Sequence, residues 1–194
     1  MTFKRIKEVL SLRKVGIAGC GGLGSNCAAA LARVGIGTLV IADYDVVSQS
    51  NLNRQFFFSD QIGMKKVQAM ADNLSRISSN VKVITHDVRL SPENILMLFN
   101  GCDLVVEALD GADQKKMFIE TILTGLPSLP LVIGLGMAGW GRNNSIHSRK
   151  ADNLYICGDE ESEVGPDFPP LAPRVGIVAN MQANMVLEIL LEQG

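Results

Sequence analysis

Val15-Gly16-Ile17-Ala18-Gly19-Cys20-Gly21-Gly22-Leu23-Gly24-Ser25-Asn26 decides the fold: an apolar strand runs into a glycine-dense turn and then an alanine-rich helix. Gly19 permits the tight turn, Gly21 and Gly22 leave no Cβ between backbone and ligand, and Gly24 lets the helix lie close against its strand. The helix start then offers free N–H groups and a positive dipole to a phosphate. Such a unit serves dinucleotides (NAD, FAD) and mononucleotides such as ATP, and these residues alone leave both readings open.

Working outward, the periodicity predicts an α/β fold: a Rossmann-like, doubly wound, mainly parallel sheet with an antiparallel extension, in a single domain over residues 1–194. Strands are expected at 15–19, 38–42, 81–85, 103–109 and 131–135. A short amphipathic helix is expected over 3–12, and a second carries Leu23, Cys27, Leu31 and Val34 on one stripe and ends at Gly35 and Gly37. A third is marked by Val67, Met70, Leu74 and Ile77, and a fourth starts at Ser91-Pro92 and runs to Phe99. Residues 113–124 form a fifth with Met117, Phe118, Ile122 and Leu123 inward, and a last helix runs from Val175 to Glu192. Gly134, Gly136, Gly139 and Gly141 around Trp140 predict a bulged connection to the antiparallel extension near 145–148. The acidic, proline-rich stretch 157–173 predicts a long, mobile crossover loop.

Open α/β sheets bind ligands at the carboxyl ends of their strands, and three acids fall there. Asp43 lies 19 residues beyond Gly24, where a carboxylate would reach ribose hydroxyls, and Asp45 follows it. Asp110 ends the fourth strand and reads either as a Mg²⁺ ligand or as the N-cap of the next helix. Between the second strand and third helix lies an insertion, Ser48 to Phe58, that a dinucleotide dehydrogenase would not need. Its Asn51, Arg54 and Gln55 could address a ligand while Phe56, Phe57 and Phe58 anchor the segment, or the whole could be a solvated loop with an aromatic plug. Lys66, in the first helical turn, opposes the helix dipole unless an anion is nearby.

The 47% hydrophobic, 20% charged composition is that of an ordinary globular protein. A net charge of -2 provides no basic field for nucleic acid or an anionic membrane. The opening Met1–Glu8 is too charged for a signal peptide, and no apolar run approaches the ~20 residues of a membrane span, so a cytoplasmic protein is expected. Four cysteines without a Cys-x-x-Cys pair indicate neither a zinc knuckle nor a disulfide framework. Cys20, Cys27 and Cys102 read as small buried hydrophobes, and His86 and His147 have no partner at metal-ligand spacing.

In combination these elements resemble the ThiF/MoeB/HesA family, prokaryotic relatives of the ubiquitin-activating enzymes. Gly19-Cys20-Gly21-Gly22-Leu23-Gly24 is similar to its G-x-G-G-x-G, Asp43-Tyr44-Asp45 to its D-x-D, and Asn51-Leu52-Asn53-Arg54-Gln55 to its N-L-x-R-Q. Gly63-Met64-Lys65-Lys66-Val67 resembles its G-x-x-K-[VA], and Asp110-Gly111-Ala112-Asp113-Gln114 its D-x-x-D-N with glutamine last. The resemblance implies ATP rather than NAD, and adenylylation of the C-terminal glycine of a ubiquitin-like sulfur carrier with a Gly-Gly tail, a ThiS-like carrier of thiamine thiazole synthesis. Activation of a molybdopterin-type carrier, a small molecule or a tRNA base is the alternative within the family, and an NAD oxidoreductase the alternative outside it. It casts Arg54 and Lys66 as cations for the α-phosphate, Asn51 and Gln55 as positioning groups, Asp43 as the ribose ligand and Asp110 as the Mg²⁺ ligand. It also implies a homodimer, and makes Cys157 either an inert thiol or a nucleophile at the base of the crossover loop. The family's opening R-Y-x-R-Q segment and paired Cys-x-x-Cys motifs have no counterpart, so no structural zinc is expected.

Overall fold

The computed structural model describes residues 1–192. Its strands are β1 (Lys14–Ala18), β2 (Thr38–Asp43), β3 (Lys82–Asp87), β4 (Leu104–Glu107), β5 (Leu131–Gly134), β6 (His147–Ala151) and β7 (Leu154–Gly158). Its α-helices are α1 (Phe3–Leu10), α2 (Gly22–Val34), α3 (Lys66–Ile77), α4 (Pro92–Phe99), α5 (Ala112–Gly125) and α6 (Ala172–Glu192). One sheet holds all seven strands in the order β3-β2-β1-β4-β5-β7-β6. Every pairing is parallel except β6 with β7. The chain steps from β1 to β3 toward one edge and then returns to lay β4 on the other side of β1, so the crevice of the reversal opens between the carboxyl ends of β1 and β4.

Alternate strand residues face opposite sides and build two cores. Ile17, Leu39, Ile41, Val106 and Val132 pack with α2, α3 and α6, whereas Ala18, Val40, Val105, Leu131 and Ile133 pack with α4 and α5. A sheet covered on both faces needs apolar residues at every position, which is why its strands read as unbroken apolar runs. In the second core Phe99 and Phe118 are fully buried with their rings edge-to-face at 5.6 Å, each burial contributing about 1.5–3 kcal/mol. Gly16 makes room for that pair, since a Cβ there would stand 2.5 Å from the Phe99 ring.

Helix ends follow local chemistry. Gly35, at φ 94°, closes α2 with its N–H on the Ala32 carbonyl, and the Ser91 side chain with Pro92 starts α4. Three expectations are corrected. Leu123 stays 37% exposed, because only Phe118 and Ile122 of α5 are buried. The fourth strand ends at Glu107, whose own carboxylate turns back to accept the Leu109 N–H. The 21-residue α6 is long and apolar enough to cross a membrane by length and composition, though half of its apolar stretch is buried, and its largest packing surface lies against α2.

The connection after β5 holds an isolated bridge from Gly139 to Pro170 and a 3-10 turn, Asn143–Ser145, before β6, with no helix of the kind that follows a phosphate loop. The crossover segment after Gly158 is pinned more firmly than its proline content predicts. Asp159 accepts from Glu161 N at 3.0 Å and Ser162 N at 2.8 Å and pairs with Arg174, both side chains being 3% exposed. Hydrogen bonds outweigh the effect of burial and hold the Asp159 carboxyl down at about 2. Further along, Gly139 N donates to Pro169 O at 3.0 Å and Trp140 stacks on Phe168 at 6.2 Å, folding the loop back over the 136–142 connection.

Candidate nucleotide site

The glycine turn is built from the sheet outward. Gly19 has φ 96°, and a Cβ on it would meet the Ala108 carbonyl oxygen at 2.7 Å, so β1 can turn this tightly beside β4 only with glycine. At Gly24 a Cβ would stand 1.9 Å from the Gly19 carbonyl oxygen, so the first turn of α2 touches the glycine turn itself. At Gly21 such a Cβ would be in ordinary van der Waals contact with Gln55 Nε2, 3.9 Å away, without a clash. Asp43 braces this arrangement: Oδ2 accepts from Cys20 N at 2.6 Å and Oδ1 from Asp45 N at 2.8 Å. Each oxygen keeps a further lone pair, so the same carboxylate can accept a ribose hydroxyl.

The Ser48–Phe58 insertion is stapled onto α2 by two side chains that sequence reasoning passed over. Ser25 Oγ accepts from Phe56 N at 2.9 Å, and Asn26 Nδ2 donates to Arg54 O at 2.9 Å and Gly22 O at 2.7 Å. Phe57 is buried beneath while Phe58 stays 46% exposed, so both readings hold in part: Phe57 is the anchor of a segment that presents the polar residues. The Arg54 stem crosses Gly22, its Cγ 3.5 Å from the position of a Cβ there, while Nη1 donates to Ser50 O at 3.1 Å and Asn53 Oδ1 at 2.8 Å. Nε and Nη2 of Arg54 donate to no partner among the described residues. Gln55 is 8% exposed and its Oε1 accepts no hydrogen bond from the described residues, with its amide nitrogen facing Gly21. An orphaned buried acceptor costs about 1–3 kcal/mol. Asn51 is turned partly to local use, its Oδ1 accepting from Ser48 N at 3.0 Å.

Lys66 begins α3, is 5% exposed, and has its anion: Asp45 Oδ2 lies 2.8 Å from Nζ, and Asp45 O accepts from Lys66 N at 2.9 Å. Asp43, Asp45 and Lys66 thus form one connected chain leading from the glycine turn. Asp110 stands exposed just past β4 and hydrogen-bonds to no residue among those described. Gly111, not Asp110, is the N-cap of α5, which removes the capping role considered above. A free carboxylate of this kind suits Mg²⁺, which takes one or two carboxylates and completes its shell with phosphate oxygens. Among the described residues no group of three or more His, Cys, Asp and Glu could hold a metal ion without such a ligand.

Below Asp110 lies a pair the sequence reading did not single out. Glu107 is 0% exposed at the end of β4 and forms an ion pair with Lys115 of α5. Burial pushes the Glu107 carboxyl up, against the pull of the Lys115 ammonium. The signal was present: a charge inside the apolar run Leu104-Val105-Val106-Glu107-Ala108-Leu109 demands a partner.

Cys157 is not brought to the site. It belongs to β7, opposite Gly134 and Ser148, and is fully buried in the α2 and α6 core, which corrects its placement at the foot of a mobile loop. Burial pushes its thiol up to about 12, leaving it protonated and shielded in this arrangement. Surface hollows of about 670 Å³ beside Phe3, Lys7, Arg33 and Ile77, and of about 360 Å³ beside Phe99–Asp103, lie at the amino ends of the strands. The site residues instead line an open crevice at the carboxyl ends.

The chain is 33% identical over 180 residues to the adenylyltransferase and sulfurtransferase MOCS3 of Caenorhabditis briggsae, an alignment covering 89% of this chain but 44% of that protein. It is 28% identical over 193 residues to the molybdopterin-synthase adenylyltransferase of Salmonella typhimurium, covering 97% and 77%. The fold matches that of the Escherichia coli tRNA N6-threonylcarbamoyladenosine dehydratase TcdA, solved in complex with ATP, with a TM-score of 0.87 at 21% identity over 98% of this chain and 90% of that one. The ThiF family pattern matches residues 3–194, a span holding the glycine turn and all the residues gathered around it, and the chain belongs to the ThiF family.

Proposed function

We propose that this protein is an ATP-dependent adenylyltransferase that activates the C-terminal glycine of a ubiquitin-like sulfur carrier ending in Gly-Gly. Three neighbours of the glycine turn support the reading: the Arg54 stem crosses Gly22, Lys66 is linked through Asp45 and Asp43 to the Cys20 N–H, and Asp110 follows Ala108, which packs against Gly19. A carboxylate oxygen of the carrier attacks the α-phosphorus of ATP, the bond from that phosphorus to the pyrophosphate oxygen breaks, and the products are an acyl adenylate and pyrophosphate. No protein base is needed, because the attacking carboxylate is already ionised at neutral pH. Backbone N–H groups of residues 21–24 face the phosphates, with no Cβ at Gly21 to hold them off; Gly22 is glycine for packing instead, since a Cβ there would stand 2.8 Å from Val175 Cγ1. Arg54 offers a planar, permanently charged fork to the charge that gathers on the α-phosphate, and Lys66 a buried point charge fixed by Asp45. The Gln55 amide nitrogen beside Gly21 positions the ligand, and Asp43 takes the ribose. Asp110 is the residue that would hold Mg²⁺, which when bound neutralises phosphate charge. Catalysis is then positioning plus electrostatics.

Adenylyltransferase activity in the named relatives and ATP in the TcdA complex support the reaction class. For the carrier we propose a ThiS-like protein of thiamine thiazole synthesis, on the motif resemblance. The molybdopterin-synthase relative favours a molybdopterin-type carrier as the second reading. A tRNA base is disfavoured by a net charge of -2, which provides no phosphate-binding field. A homodimer in the cytoplasm completes the proposal. The test is exchange of labelled pyrophosphate into ATP with Mg²⁺ and a panel of Gly-Gly carriers. Exchange with a ThiS-like carrier supports the assignment, exchange only with a molybdopterin-type carrier moves it to the second reading, and no carrier-dependent exchange refutes it.

A further inference from the structure

We propose that the Glu107–Lys115 pair is a positioning element of the site, fixing the Ala108–Gly111 turn and through it the place of the Asp110 carboxylate relative to the glycine turn. The inference rests on the adenylylation reading for its functional consequence and on geometry for the rest. Glu107 Oε1 accepts from Leu109 N at 2.7 Å, so the residue before Asp110 is tied to a buried charge. Glu107 Oε2 is paired with Lys115 Nζ, which also donates to Gly134 O at 3.0 Å at the end of β5. The Glu107 backbone carbonyl takes a third tie, from Gln182 Nε2 of α6 at 3.0 Å. Three elements therefore converge on the last residue of β4. Ala108, the next residue, is the one against which the glycine turn is built, through its carbonyl oxygen beside Gly19 and its Cβ 3.1 Å from where a Cβ of Gly24 would lie.

Asp110 has no side-chain partner of its own among the described residues, so its position is set by the backbone on either side. That backbone is held on one side by Glu107 and on the other by α5, which carries Lys115. Stability alone does not call for an ion pair here. Well-packed apolar residues of similar volume in place of such a pair are often neutral or stabilising. What an apolar pair cannot do is accept from the Leu109 N–H and draw α5 toward Gly134 at the same time.

The experiment compares the wild-type full chain with Glu107→Leu/Lys115→Met, which removes both charges together, and with Lys115→Arg, which keeps the pair. Amide hydrogen exchange at Leu109 is read without nucleotide, AMP affinity without Mg²⁺, and the Mg²⁺ concentration at half-maximal ATP affinity by titration. In the apolar double variant Leu109 exchange is expected to rise at least tenfold and the Mg²⁺ midpoint at least tenfold. AMP affinity should stay within threefold, and Lys115→Arg should return both shifted quantities to within threefold of wild type. A folded double variant with unchanged Leu109 exchange, or with the Mg²⁺ midpoint of wild type, overturns the proposal. Parallel loss of Mg²⁺-free AMP affinity also overturns it, since that is the mark of general support for the fold. If the double variant fails to fold, Glu107→Gln, which removes the charge without leaving a buried carboxylate unpaired, carries the Mg²⁺ comparison once its thermal midpoint is checked. A wild-type chain that binds neither AMP nor ATP sinks the adenylylation reading, while the Leu109 exchange result still decides whether the pair holds the turn.

Discussion

Two alanines placed three residues apart should separate what the glycine turn does for the fold from what it does for a ligand. At Gly24 a Cβ would stand 1.9 Å from a backbone oxygen and 3.0 Å from its carbon, so no rotamer can relieve the contact and either α2 or the turn must move. Overpacking of this kind costs about 1–3 kcal/mol, from which the better helix propensity of alanine subtracts up to about 1 kcal/mol. The contact is with rigid backbone, so a net loss of about 2 kcal/mol is expected, or about 4–8 °C in Tm for a chain of this length. At Gly21 the new Cβ meets nothing nearer than 3.9 Å and the backbone is at φ -76°, ψ -152°, which any residue adopts. Gly21→Ala should therefore melt within about 1 °C of wild type. Its methyl group projects into the space through which a phosphate would approach the helix N-terminus. Loss of one hydrogen bond to a charged acceptor costs about 1.5–3 kcal/mol, roughly 10- to 150-fold in Kd. Differential scanning calorimetry gives the first quantity, and ATP titration of the folded variants the second. Wild-type ATP affinity in Gly21→Ala would show that phosphates do not approach this turn, and wild-type Tm in Gly24→Ala would refute the packing argument.

Arg54→Ala and Lys66→Ala should each lower carrier-dependent pyrophosphate exchange by at least about 100-fold if they hold charge that develops in the transition state. Loss confined to KM would show that they bind ground-state substrate only. The Asp159 carboxyl, held at about 2 against an ordinary 3.8, is a depressed group, so its stabilisation of about 2 kcal/mol is fully present above pH 5. It should fade as pH falls through 3.8 toward about 2, and urea midpoints between pH 6 and pH 2.5 should show an acid loss in wild type that is smaller in Asp159→Asn. All four cysteines are buried, so none should react with a thiol reagent faster than the protein opens, and Cys157→Ala should keep exchange within threefold. A fast-reacting Cys157, or loss of exchange on its removal, would restore the thiol to the mechanism.

The sequence by itself determined the architecture, because the signals involved are local. An unbroken apolar run such as Leu39-Val40-Ile41-Ala42 can only be a strand covered on both faces, and the glycine density at 19–24 fixes a strand, turn and helix in that order. Asp43 was legible for the same reason, since it ends β2, whereas the fourth strand was read two residues too long and Asp110 lies three residues past its true end. What the tertiary structure alone decided are partnerships across long stretches of chain. The 21-residue gap between Asp45 and Lys66, and the 31 residues between Ser25 and Phe56, leave no trace in any local pattern. Asp159 is one acid among several in its stretch, and only the fold selects it as the partner of the buried Arg174. Cys157 was misplaced for a related reason: whether a residue opens a loop or closes a strand depends on a neighbour to pair with, here β5, and that neighbour is supplied by the sheet and not by the sequence around it.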